Sequence, residues 1–260
     1  MGEIMMNATV AATPDLRFEG RYFYLWMAGA FVFVAFGGFI PTFWAKVAGG
    51  TFHAPPVVYI HGTLLFAWTC FYFVQTALVA ARRTMDHRAW GLAGIALFSV
   101  LMCTILVTEM AVLKRDEALG VGDGARRFAA VTLCAWPLMA GLFIMAIANI
   151  RRPQVHKRFM MLLMIGMLTP AIARVFLTLF APPGAGADGP PPPFVSVPPA
   201  LAADLFLIAA MVYDWRTRGR PHPVYVYGGL ILVAQQVLTV PFAATAAWMN
   251  IVKNFESLAG

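Results

Sequence analysis

Ionisable side chains are scarce in this chain, and those inside apolar runs fall at one depth. His61, Glu109, Arg174 and Asp204 each lie one to two helical turns from the run end that faces away from the basic turns. A charge at the centre of a membrane helix costs about 2.5–3.5 kcal/mol on insertion scales, so such groups face a bundle interior and pair. Arg174 is therefore expected opposite Glu109 or Asp204, which leaves His61 to hold a ligand, carry a proton or bind a metal. Gln235, Gln236 and Tyr59 can add hydrogen bonds. One imidazole with two carboxylates is also a donor set for a divalent metal, so His61, Glu109 and Asp204 form a candidate metal site. A second layer sits at the basic turns: Asp86, His87 and Arg88; His156, Lys157 and Arg158; Asp214, Arg216, Arg220 and His222. Bases that snorkel to anionic lipid phosphates account for most of this layer. His61 and His87 are about 39 Å apart along a helix and its turn at the helical rise of about 1.5 Å. No single metal or cofactor spans both layers.

The elements that must carry these residues are membrane helices. Of the 260 residues, 60% are hydrophobic and only 12% charged; mean hydropathy is +0.73. A soluble domain is about 45–50% apolar and about 25% charged. Runs of about 17–25 apolar residues cross a hydrocarbon core of about 30 Å. Seven are expected, at about 22–45, 57–81, 89–113, 128–150, 159–181, 199–215 and 224–249. The fold class is thus all-α, a single domain of seven transmembrane helices. Residues 1–21 form a polar leading segment without a cleavable signal pattern, and 250–260 a trailing tail. The proline-rich stretch 182–199 is expected as a non-helical external loop or lid. Arginines crowd the second, fourth and sixth turns, so these turns face the cytoplasm. The chain is N-in and C-out in a bacterial-type inner membrane. The net charge of +7 sits in these turns and points to anionic lipid rather than nucleic acid. Cys70, Cys103 and Cys134 lie within apolar runs without ligand spacing and read as packing residues. The seventh run has no lysine for a retinal-type Schiff base.

The basic turns share a pattern. Arg82-Arg83-x3-His87, Arg151-Arg152-x3-His156 and Arg218-x3-His222 suggest related hairpins of helices 2–3, 4–5 and 6–7, with helix 1 added. His-Gly near the start of helix 2, HRAWG at helix 3 and HKRFM at helix 5 resemble the histidine pattern of cytochrome b561-type membrane cytochromes. The outline His61, Gln75, His87, Arg88, Gly91 also resembles uncharacterised bacterial multi-span proteins. The b561 likeness covers about 57–165 and implies haem b between His87 and His156. A second haem would need a histidine on helix 4 opposite His61, and Phe128–Ile150 contains none.

Three functions are compatible with this reading. The first is an outer-half pocket of His61, Glu109, Arg174 and Asp204 that binds a small lipophilic or ionic ligand or a metal, with catalysis an option. The second is a b-type cytochrome that transfers electrons. The third is a structural subunit of a membrane complex or homo-oligomer.

Overall fold

The computed structural model describes residues 20–182 and 189–258. Most of the leading segment 1–21, part of the proline-rich stretch and the end of the tail lie outside the described residues. Seven helices are long and apolar enough to cross a membrane. They are α1 (Arg21–Ala48), α2 (Pro56–Ala80), α3 (Thr84–Ala118), α4 (Gly122–Ala148), α5 (Pro153–Phe180), α6 (Val197–Arg218) and α7 (Pro223–Ala243). A shorter helix, α8 (Ala246–Ser257), follows. Among the described residues there is no strand. The chain is an all-α polytopic membrane protein. Its outward faces carry Trp26, Phe33, Leu92, Ile144, Leu205 and Leu230, all well exposed, as a lipid-facing surface requires.

Helices α1 to α5 close into a ring, each packed on the next and α5 returning to α1. Helices α6 and α7 pack together outside it, against α5, and α7 also touches α4. Helix α1 crosses α5 closely at Gly38, where an added Cβ would lie 2.4 Å from the Ala171 carbonyl oxygen. Beyond that crossing Pro41 interrupts the ladder, and α1 continues through a π-helical turn at Ile40–Trp44, the kind of bulge that a missing N–H favours.

Several boundaries differ from the sequence expectation. Asp86-His87-Arg88 and His156-Lys157-Arg158 are not turn residues, because α3 starts at Thr84 and α5 at Pro153. Asp86 lies in the first turn of α3, where a carboxylate meets the positive helix end, and bridges Arg83 at 2.7 Å. Pro153 leads α5, a position where proline loses no hydrogen bond. For the same reason the end of the proline-rich stretch is helical after all: Pro193–Ser196 forms a 3₁₀ turn, and Pro198 and Pro199 sit in the first turn of α6. The seventh span stops at Ala243. Thr245 then caps α8 by accepting from the Trp248 amide at 3.1 Å, so residues expected as a tail are helical as far as Ser257. Trp248 and Val252 bury the inner face of α8. Arg126 fixes its end through Glu256 at 2.9 Å, and also meets Glu117 and Asp123.

His222 departs from the other basic-turn histidines. It caps α7, its Nδ1 accepting from the Val224 amide at 3.2 Å, while its own amide donates to Asp214 Oδ2. Burial, with the Arg158 charge beside it, holds this imidazole below its ordinary range, against the opposing pull of Asp214. Nδ1 accepts only when unprotonated, so the folded state favours neutral His222. With the folded pKa below the unfolded value of about 6.5, the unfolded chain binds the proton first. The contribution is full above that value and fades as pH falls through the folded pKa. The melting-temperature difference between wild type and His222→Ala in detergent is expected to shrink from pH 7.5 to pH 5. A constant difference would remove this assignment.

Candidate functional site

The turns before α3 and α5 are built alike. In each, the arginine pair ends the preceding turn, one further residue opens the helix, and the histidine follows three residues later, in the first helical turn. Because the register matches, His87 and His156 stand at the same height at the basic end of the ring. Their ring centres are 6.3 Å apart, with planes at 79°. His156 Nδ1 lies 2.8 Å from the Ala146 carbonyl at the end of α4, which makes Nδ1 the protonated nitrogen and leaves Nε2 with a free lone pair. His87 is held by the backbone carbonyl of Gln75 on α2, and its Nδ1 is buried without a partner.

Both histidines line a cavity of about 140 Å³ inside the ring, roughly ten times what the centre of one water requires. It is lined by Arg21, His87, His156 and Lys157 toward the basic end and by Trp68, Ile95 and Phe143 deeper in the bundle. Its apolar walls include Trp68, Phe71 and Phe143, and behind them Phe98 stacks on Phe143 at 4.1 Å and meets Trp68 at 4.9 Å. Gly91 also lines it, and a Cβ there would meet nothing within 4 Å. Several polar atoms of the lining residues are buried without hydrogen bonds: Arg21 Nη1, Trp68 Nε1, both amide atoms of Gln75 and His87 Nδ1. Native interiors satisfy nearly all such atoms, so their gathering around one cavity is unusual.

Behind this cavity lies a network that sequence reasoning assigned to the lipid surface. Arg158 and Asp214 are 1% and 0% exposed. The Arg158 Nε donates to Asp214 Oδ2 at 2.9 Å and Nη2 donates to Oδ1. Nη1 reaches the carbonyl and side chain of Gln154 at 2.8 and 2.7 Å. The Tyr24 and Tyr225 hydroxyls meet at 3.2 Å beside it, and the Lys157 ammonium sits 4.6 Å over the Tyr24 ring. The only sequence signal for this pair was an aspartate and an arginine near the same membrane face on successive helices.

The residues of the opposite layer go to separate neighbours. His61 Nδ1 meets Thr104 Oγ1 at 3.2 Å. Glu109 bonds the Thr132 side chain, and Asp204 meets the Gln236 amide at 3.4 Å. Arg174 donates to the Pro170 carbonyl at 3.1 Å and lies 4.4 Å over the Phe39 ring. Among the ion pairs of the described residues, none joins Arg174 to Glu109 or Asp204. Nor do three His, Cys, Asp or Glu side chains among the described residues come together to hold a metal, so His61, Glu109 and Asp204 are not assembled as a metal trio. Cys70, Cys103 and Cys134 are free thiols. No family model, curated protein or solved structure matches this chain at a significant level.

Proposed function

We propose that the cavity at the basic end binds a b-type haem, which His87 and His156 would hold, and that the protein transfers electrons at the cytoplasmic side of a bacterial-type inner membrane. The observation that supports this best is the separation of the two rings. Two imidazoles whose ring centres stand about 6 Å apart could both reach one metal ion between them. The separation here is 6.3 Å. The resemblance to cytochrome b561 points to the same two histidines, on alternate helices.

The donor set and walls fit the group. His156 offers Nε2, its tautomer set by the Ala146 carbonyl, and His87 offers the unpartnered Nδ1. Such outer hydrogen bonds orient ligating histidines and raise their basicity. When bound, haem supplies a one-electron couple whose potential follows its axial ligands and burial. Trp68, Phe71 and Phe143 exclude water from the deeper part of the cavity, and Gly91 leaves room along α3. With no histidine on α4 to face His61, the reading is of one haem in the inner half of the bundle.

The test is the optical spectrum of the detergent-purified full chain, air-oxidised and dithionite-reduced, from cells supplied with a haem precursor. Soret and α bands of a low-spin haem are expected. His87→Ala and His156→Ala should each lose the low-spin form while eluting as the wild type does. A featureless wild-type spectrum removes the proposal, as does a low-spin spectrum that survives both substitutions.

A further inference from the structure

We infer that Asp204 is a proton-binding site: inside the bundle it is a neutral carboxylic acid that donates from Oδ2 to the Gln236 side chain. The site lies in the half of the membrane away from the basic end. It uses no residue of the histidine cavity and stands apart from the haem reading.

Two buried aspartates of α6 show what each charge state requires. Asp214 accepts from Nε and Nη2 of Arg158 and from the His222 amide, as a carboxylate with its counter-charge does. Asp204 is 6% exposed and has no such set. Its Oδ1 accepts from the neutral Gln236 Nε2 at 3.4 Å, and its Oδ2 is buried without a partner. Among the described residues no ion pair includes Asp204. Arg174, the cation at similar depth on α5, gives its guanidinium to the Pro170 carbonyl and the Phe39 ring. Near Asp204 on α6, Ala200, Ala203 and Leu207 are buried and apolar. A lone carboxylate is the costly form in such surroundings and takes up a proton instead.

The Gln236 side chain supplies the second observation. Its Oε1 is also buried without a partner. Two acceptors that lack a donor therefore belong to two side chains already in contact. A carboxylate cannot supply a donor, whereas a carboxylic acid supplies one O–H. With the proton on Oδ2, Nε2 donates to Oδ1 and Oδ2 donates to Oε1, and both unpaired atoms are satisfied. A hard metal ion would need about six oxygens, and Ala200, Ala203 and Leu207 offer no side-chain oxygen.

The test is infrared difference spectroscopy of the detergent-purified full chain at pH 7.5, wild type minus Asp204→Asn. The C=O stretch of a carboxylic acid stands apart from the carboxylate bands, so the difference reads the charge state of Asp204. A carboxylic-acid band is expected, without carboxylate bands. Carboxylate bands in its place overturn the inference. Gln236→Leu, compared directly with the wild type, should move the acid band to higher frequency as the O–H loses its acceptor. An unmoved band overturns the pairing and with it the inference. The band should be the same in sodium and in choline buffer, and its conversion to carboxylate by sodium would make this a cation site instead. Melting temperature gives a second readout. Asp204→Asn should melt with the wild type, since an amide N–H replaces the acid O–H, and a fall as large as that of Asp214→Asn overturns the neutral acid. Protein with and without haem should give the same band, so this result and the optical spectrum succeed or fail separately.

Discussion

Asp214→Ala is expected to cost the bundle about 3–5 kcal/mol, because it leaves the Arg158 guanidinium buried with its main partner gone. Both side chains are essentially inaccessible, so water cannot replace the lost carboxylate without opening the contact between α5 and α6. Asp214 also accepts from the His222 amide at the turn into α7, and the substitution therefore loosens α5, α6 and α7 together. The measurement is the melting temperature and the monodisperse fraction in detergent, which should both fall sharply. Asp214→Asn retains one acceptor oxygen and should fall between. Replacing both partners, Arg158→Met with Asp214→Leu, should recover most of the loss, since an apolar pair leaves no buried charge. An Asp214→Ala protein that melts with the wild type would mean that the pair contributes nothing to assembly.

Gly38→Leu is the second large effect. A Cβ at Gly38 would lie 2.4 Å from the Ala171 carbonyl oxygen and 2.7 Å from its carbon. These are backbone atoms, so no rotamer change relieves the overlap, and α1 must move away from α5. Membrane helices approach this closely only where small residues face each other. Overpacking a core costs about 1–3 kcal/mol and at times more. Here the displaced element is also a wall of the cavity, through Arg21 and Tyr24. A fall in melting temperature is expected together with loss of porphyrin binding. Gly37→Ala is the control: nothing lies within 4 Å of that Cβ position, so it should match the wild type. Equal behaviour of Gly38→Leu and Gly37→Ala would place the crossing elsewhere.

The two layers of polar residues fared differently. Depth alone put His61, Glu109, Arg174 and Asp204 at one level, yet level is only one coordinate. Each ended beside a different neighbour, Thr104, Thr132, the Pro170 carbonyl and Gln236, because the rotation of each helix about its own axis decides what a side chain meets. His87 and His156 carried more information in the chain. Identical spacing from an arginine pair gave them the same register at the start of α3 and α5, and register fixes height.

What the chain determined by itself is the set of seven spans, and the basic character of one end. Both follow from local composition: an apolar run long enough to cross hydrocarbon must do so, and arginines gather at its ends. The same uniformity hides the tertiary arrangement. In a soluble helix the apolar stripe says which face is buried, but a membrane helix is apolar toward lipid and toward protein alike. Nothing in the periodicity could therefore announce that α1 to α5 close into a ring, or that Arg158 turns inward to Asp214. Nor could it show that the end of α4 supplies the Ala146 carbonyl to His156. Those were decided by helix rotation and close approach at small residues such as Gly38, where packing and buried hydrogen bonds replace the hydrophobic effect as the force that selects a face.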